Sequence, residues 1–211
     1  MLNDNLQHQI HLHFIILIWG FTAVLGALIS LDAIPLVWFR MSLAAVVVLA
    51  YMLIRGHRPD FSLKFLIQML GLGLALALHW LTFFGAIKIS NVSVTLSVMA
   101  TGAFFTALLE PIIFSRPLNW RELVLGLIAM AGLGIIFQAS TQYLWGIIMS
   151  LISAFLSAFF SVFNGHLVKS HSASSISFFE LFFGVLCLSI YLLIEGDFDA
   201  SFFQINPGDW T

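Results

Sequence analysis

Charge is what this chain has least of. Only 9% of its 211 residues are Asp, Glu, Lys or Arg, against roughly 25% in a soluble domain. With 61% hydrophobic residues and a mean hydropathy of +1.05, the composition excludes a soluble domain and calls for an integral membrane protein. The few cations are scattered singly and the formal net charge is −2, so no basic surface is available for a nucleic acid. Cysteine is nearly absent: Cys187 stands alone in an apolar run, which excludes an internal disulfide and a cysteine-based metal centre. No P-loop, nucleophile elbow or metal-ligand spacing occurs, and His79 has no second His at i, i+4, so neither a metal nor another cofactor is expected. The opening MLNDNLQHQIHLH contains no Lys or Arg and no small-residue cleavage site follows the apolar run, so the first hydrophobic segment reads as retained rather than as a signal peptide.

What is there is hydrophobic length. Runs of about 18 to 25 mainly apolar residues, the length that spans a bilayer as a helix, fall at 14–31, 34–54, 65–87, 92–114, 123–137, 144–167 and 176–194. The fifth is short, with Trp120 and Gln138 placed to complete it at the interfaces. The expected fold is an all-α polytopic membrane helix bundle of seven spanning helices joined by short connections. Trp38, Trp120, Tyr143, Trp145 and Trp210 fall near segment ends, as an aromatic belt requires. Arg55, Arg58, Lys64, Arg116, Arg121 and Lys169 occupy alternate loops and only Lys88 the others. Cations collect in cytoplasmic loops, so the N-terminus is expected in the cytoplasm and the acidic tail beyond segment seven outside.

An internal repeat occurs at an offset of 140 residues. PLVWFRMSLAAVVVLAYMLIRG from Pro35 aligns with SISFFELFFGVLCLSIYLLIEG from Ser175, matching Phe39 with Phe179, Tyr51 with Tyr191, Leu53-Ile54 with Leu193-Ile194 and Gly56 with Gly196. Segments two and seven are five helices apart and run in opposite directions, which makes this an inverted-topology repeat of the kind that builds secondary transporters. Four features support a family resemblance: a short first connection, the Pro35-x(4)-Arg40 opening of helix two, the F-x-A-I-K ending of helix three at Lys88, and Glu110-Pro111 near the end of helix four. In these the chain resembles the drug/metabolite transporter superfamily, specifically the EamA-type carriers of ten helices. The resemblance implies a five-helix repeat over 1–138 and the start of an inverted second copy over 139–211. Helices eight to ten are missing by that pattern, so the chain reads as a C-terminally truncated member. It also implies export of amino acids or similar metabolites.

Polar groups inside hydrocarbon are costly unless they face protein or water, so in this chain they mark a cavity. His79 and Trp80 lie near mid-depth, Thr101 in segment four, Arg40 about five residues inside segment two, and Glu180 at its repeat counterpart in segment seven. These five are expected to line one solute cavity; snorkelling is the alternative for Arg40 and a packed core histidine the alternative for His79. Arg40 and Glu180 fall on opposite sides of the midplane, an arrangement suited to a zwitterion with its carboxylate near Arg40 and its amine near Glu180. Glu110, with Arg116 and Arg121 just beyond, reads either as a structural ion pair or as a gating or proton-linked group, and Pro111 should free the carbonyl of Ala107. Gly126, Gly132 and Gly134 in segment five favour close helix packing, within the bundle or in a homodimer. A gradient-driven carrier of a small-molecule substrate in the cell inner membrane is the reading favoured. A seven-helix receptor needs the opposite orientation, and an intramembrane enzyme needs a nucleophile or metal constellation that is not present.

Overall fold

The computed structural model describes residues 4–57, 59, 61–139, 141–200 and 202–210. Regular structure among them is helical: α1 (Asp4–Leu28), α2 (Ala33–Ile54), α3 (Leu63–Ile89), α4 (Val92–Met99), α5 (Gly102–Phe114), α6 (Trp120–Ala139), α7 (Leu144–Leu167) and α8 (Ala173–Glu195), with short 3₁₀ turns at Thr141–Tyr143 and Pro207–Trp210. Six spans are long and apolar enough to cross a membrane, α4 and α5 together forming one of them. The remaining expected span is the 20-residue α6. Arg58 and the side chains of Gln138 and Trp210 lie outside the described residues.

Two helix boundaries differ from the sequence reading. α1 begins at Asp4, well before the apolar run, because hydropathy marks the part that contacts lipid while the Leu and Gln of the preceding polar stretch are good helix formers. The fourth span is broken at Ala100–Thr101, and not at Pro111, which sits inside α5. At the break the Thr101 N–H and hydroxyl both donate to the Val98 carbonyl, at 3.0 and 2.7 Å, so a tight i→i+3 turn replaces the α-helical bond.

α3 is the centre of the bundle. It packs against α7 on one side and α8 on the other, while α2 packs on α8, α5 on α7, α6 on α5, and α1 on α3. Helix directions follow from paired contacts. On α3 and α7, His79 meets Ser153 and Ser90 lies against Gly146, so these helices are antiparallel. On α2 and α8, the Trp38 indole donates to Ser189 at 2.8 Å and Met41 lies against Gly184, so they too run antiparallel. That relation requires an even number of membrane passes between them; α3, the α4–α5 span and α7 make three, and α6 supplies the fourth. Outward apolar residues such as Leu43, Val46, Val47 and Ile190 stay exposed, as a lipid-facing surface demands.

The repeat-matched ends of α2 and α8 carry the same stop. Gly56 and Gly196 adopt φ of 66° and 81°, the left-handed region that favours glycine. His57 N–H donates to Met52 O at 2.9 Å and Asp197 N–H to Leu192 O at 3.0 Å, the six-to-one bond of a Schellman cap. The shared Y-x-L-I-x-G is thus a helix terminator used twice.

Beyond α8 the chain folds back over the end of the bundle opposite the cation-rich loops. Phe198, Phe202 and Phe203 surround Trp38, with ring centroids 5.5–5.9 Å from it. The Asp209 carboxylate accepts the Ser30 N–H at 2.7 Å and the Ser30 hydroxyl at 2.6 Å, and Lys88 Nζ donates to the Ile29 carbonyl. The Ser30 hydroxyl and N–H hold the Asp209 carboxyl below its ordinary range.

Two predictions follow from this packing. A Cβ on Gly73 would lie 2.6 Å from the Glu180 carbonyl and 3.0 Å from the Gly184 nitrogen, both backbone atoms that cannot rotate away. Gly73→Ala should therefore cost about 1–3 kcal/mol, read as a lower unfolding midpoint in detergent, whereas Gly71→Ala, with nothing near its Cβ, should not. The Asp209 contact contributes fully above the ordinary carboxylate range and is lost as pH falls through the depressed value. Exchange protection of the Ser30 amide should persist at neutral pH and collapse only on strong acidification. In Asp209→Asn that pH dependence should vanish.

Candidate functional site

One face of α2 carries Val37, Arg40, Met41 and Ala44 at i, i+3, i+4 and i+7 toward Trp80 and Phe84, which are one turn apart on α3. With Leu181 of α8 these residues enclose a pocket of about 120 Å³. The two α3 rings stack at 5.5 Å and 17°, and the Arg40 guanidinium carbon lies 5.1 Å from the Trp80 ring and 5.0 Å from Phe84. The arginine is half-buried and, among the described residues, pairs with no carboxylate. Its charge is held by aromatic faces, an interaction worth up to about 2 kcal/mol when desolvated. The guanidinium N–H fork remains suited to a carboxylate or another planar anion. Chemically, the pocket offers one fixed cation, two aromatic faces and an aliphatic wall.

Arg40 and Trp80 are thus brought together. His79 points elsewhere: consecutive helical residues diverge by about 100°, and its ring faces α7. It is 5% exposed, with Nδ1 3.0 Å from the Ser153 carbonyl and 2.9 Å from the Ser153 hydroxyl, while that hydroxyl also lies 3.1 Å from the His79 carbonyl. These contacts tie α3 to α7, and Phe83 and Phe160 flank the ring. Thr101 is 1% exposed at the break in the fourth span, its hydroxyl spent on Val98. Glu180 is 4% exposed, one residue from the pocket-lining Leu181, and accepts the Asn164 amide N–H at 3.0 Å. Glu110 sits at the cation-rich end and pairs with Arg116, both side chains partly exposed.

Phe84, Ser153 and Asn164 were not singled out from the sequence. Asn164 carried a usable signal, a strong hydrogen-bonding amide inside an apolar run. Phe84 and Ser153 carried none, because a phenylalanine among 22 and a serine beside alanines look like ordinary helix filler. A second pocket, of about 200 Å³, lies at the cation-rich end between Lys64, Gln68, His166 and His171. Among the described residues no group of three His, Cys, Asp or Glu is placed to hold a metal ion.

If the His79–Ser153 contacts hold α3 to α7, His79→Leu should cost about 1–3 kcal/mol by stranding the Ser153 hydroxyl. Thermal unfolding in detergent measures this, and an unchanged midpoint would remove His79 from the helix interface.

Residues 11–138 match the EamA-like transporter family, more than half of the chain. Comparison with curated proteins and with solved structures gives no match. Among the described residues the chain is an all-helical bundle with six apolar spans and a charged and aromatic pocket between α2, α3 and α8. The chain belongs to the EamA-like transporter family, and with it to the membrane transporters of the drug/metabolite type.

Proposed function

We propose that this chain works as a secondary carrier that exports small metabolites such as amino acids across the cell inner membrane, with its N-terminus in the cytoplasm. The observation that carries the reading is the Arg40–Trp80–Phe84 pocket, an unpaired cation against aromatic faces between apolar spans. A membrane arginine without a carboxylate partner is the complement of a solute carboxylate, and the aromatic and aliphatic walls suit the solute's apolar part. In the proposal His79, Thr101 and Glu180 act from behind the pocket walls as supporting groups, through their contacts with Ser153, Val98 and Asn164, and Glu110 with Arg116 acts as a gate at the cytoplasmic end. Residues 1–138 form the first five-helix repeat and 139–211 the start of its inverted copy. The matched Schellman caps and the antiparallel course of α2 and α8 support that division.

Proteoliposomes holding the purified chain should accumulate labelled amino acids from a panel, and Arg40→Ala or Trp80→Ala should slow initial uptake at least tenfold, about 1.4 kcal/mol. Uptake at wild-type rates in both variants would place the solute path elsewhere.

A further inference from the structure

Among the described residues, three buried side-chain polar atoms have no hydrogen-bond partner: Ser42 Oγ, Asn164 Oδ1 and Glu180 Oε1. Two of the three belong to one pair of touching groups. Asn164 Nδ2 donates to Glu180 Oε2 at 3.0 Å, leaving an amide oxygen and a carboxylate oxygen as the free ends of the same contact. Both are acceptors. An ionised carboxylate only accepts, whereas a protonated one also donates. Buried acceptors left unmade cost on the order of 1–3 kcal/mol each, so the pair as drawn is short of a donor.

We propose that the donor is a proton on Glu180, shared with Asn164, and that this acid–amide pair is a proton-binding site within the spans. One proton on Oε1 lets it donate to Asn164 Oδ1 while Nδ2 continues to donate to Oε2. A closed ring of two hydrogen bonds results, and both orphan atoms are satisfied at once. Exchanging the amide nitrogen and oxygen gives the same count, since the amide oxygen would then face Oε2 and again require a carboxyl proton. A metal cation fits less well, because hard cations need about six or more oxygens and no metal-holding group is present among the described residues. An ammonium group fits less well because both oxygens have almost no accessible surface.

The ionisable groups on the elements packed against α8 do not supply the charge either. They are Arg40 and Tyr51 on α2, Lys64, His79 and Lys88 on α3, and His166 on α7. None of them is hydrogen-bonded or ion-paired to Glu180: Arg40 lies over Trp80 and Phe84, His79 is bonded to Ser153, and Lys88 to Ile29. The Asn164–Glu180 bond joins α7 to α8, and losing the proton would leave a bare buried carboxylate there with the Asn164 amide oxygen as a second unpartnered acceptor. Proton release should therefore favour separation of these helices, which would link protonation to the alternation of a carrier. That last step rests on the carrier reading; the proton site itself does not.

Infrared spectroscopy of the full chain in lipid vesicles at neutral pH tests the site directly. The expected result is a carbonyl stretching band of a hydrogen-bonded protonated carboxyl that disappears in Glu180→Gln and moves to higher frequency in Asn164→Ala. Should either variant fold poorly, the wild-type chain can be treated with a hydrophobic carbodiimide, which attacks protonated carboxyls, and Glu180 should carry the adduct by peptide mass mapping. Absence of both the band and the adduct would overturn the proposal. So would a band that survives Glu180→Gln, or labelling suppressed by sodium ions at constant pH. A chain that shows the band and moves no solute would fail the carrier reading alone.

Discussion

The close approach of α3 and α8 sets the geometry on which the interior depends. Gly73 and Gly184 face each other with backbone against backbone, leaving no room for a side chain on either. Between helices in lipid there is little hydrophobic driving force, so contact of this kind, with its dispersion attraction, is what holds them together. Because α8 is seated this closely on α3, its neighbouring residues are fixed as well. Leu181 becomes a wall of the Arg40 pocket, and Glu180 is buried within reach of Asn164.

Around that contact the chain settles its interior polar groups in different ways, each dictated by the chemistry of the side chain. Arg40 cannot shed its charge and rests on two ring faces. His79 takes carbonyl and hydroxyl partners from α7. Thr101 turns its hydroxyl back on its own helix. Glu110 sits near enough to the membrane boundary to find Arg116. Among the described residues, the Glu180–Asn164 pair is left with two touching groups that each keep an unpartnered acceptor. Groups that bond fully inside the bundle stiffen it, while those that keep free capacity are the ones through which a carrier can respond to something bound. The Arg40 guanidinium and the Glu180–Asn164 oxygens are of this second kind, and Leu181, which lines the Arg40 pocket, is the residue next to Glu180 on α8.

Much of the architecture was legible in the sequence because it follows from local rules. Hydrophobic length gave the spans, since a helix is the cheapest way to satisfy backbone groups in hydrocarbon. The Y-x-L-I-x-G repeat anticipated two identical helix stops, since only glycine enters the left-handed region without penalty. The start of α1 was not legible, because a polar helical extension has no hydrophobic signature. Neither was the Thr101 break, where a serine-like back-bond outweighed the more visible Pro111.

The sequence by itself determined that this is a helical membrane protein, which residues lie at membrane depth, and which family it resembles, because transfer to hydrocarbon depends on composition and length alone. Only the tertiary structure decided which way those residues point. Helix rotation is set by where glycines let backbones meet, and a rotation of about 100° separates Trp80 in the pocket from His79 in the interface with α7. It also paired Glu180 with Asn164, 16 residues earlier on another helix, a contact that no local periodicity encodes.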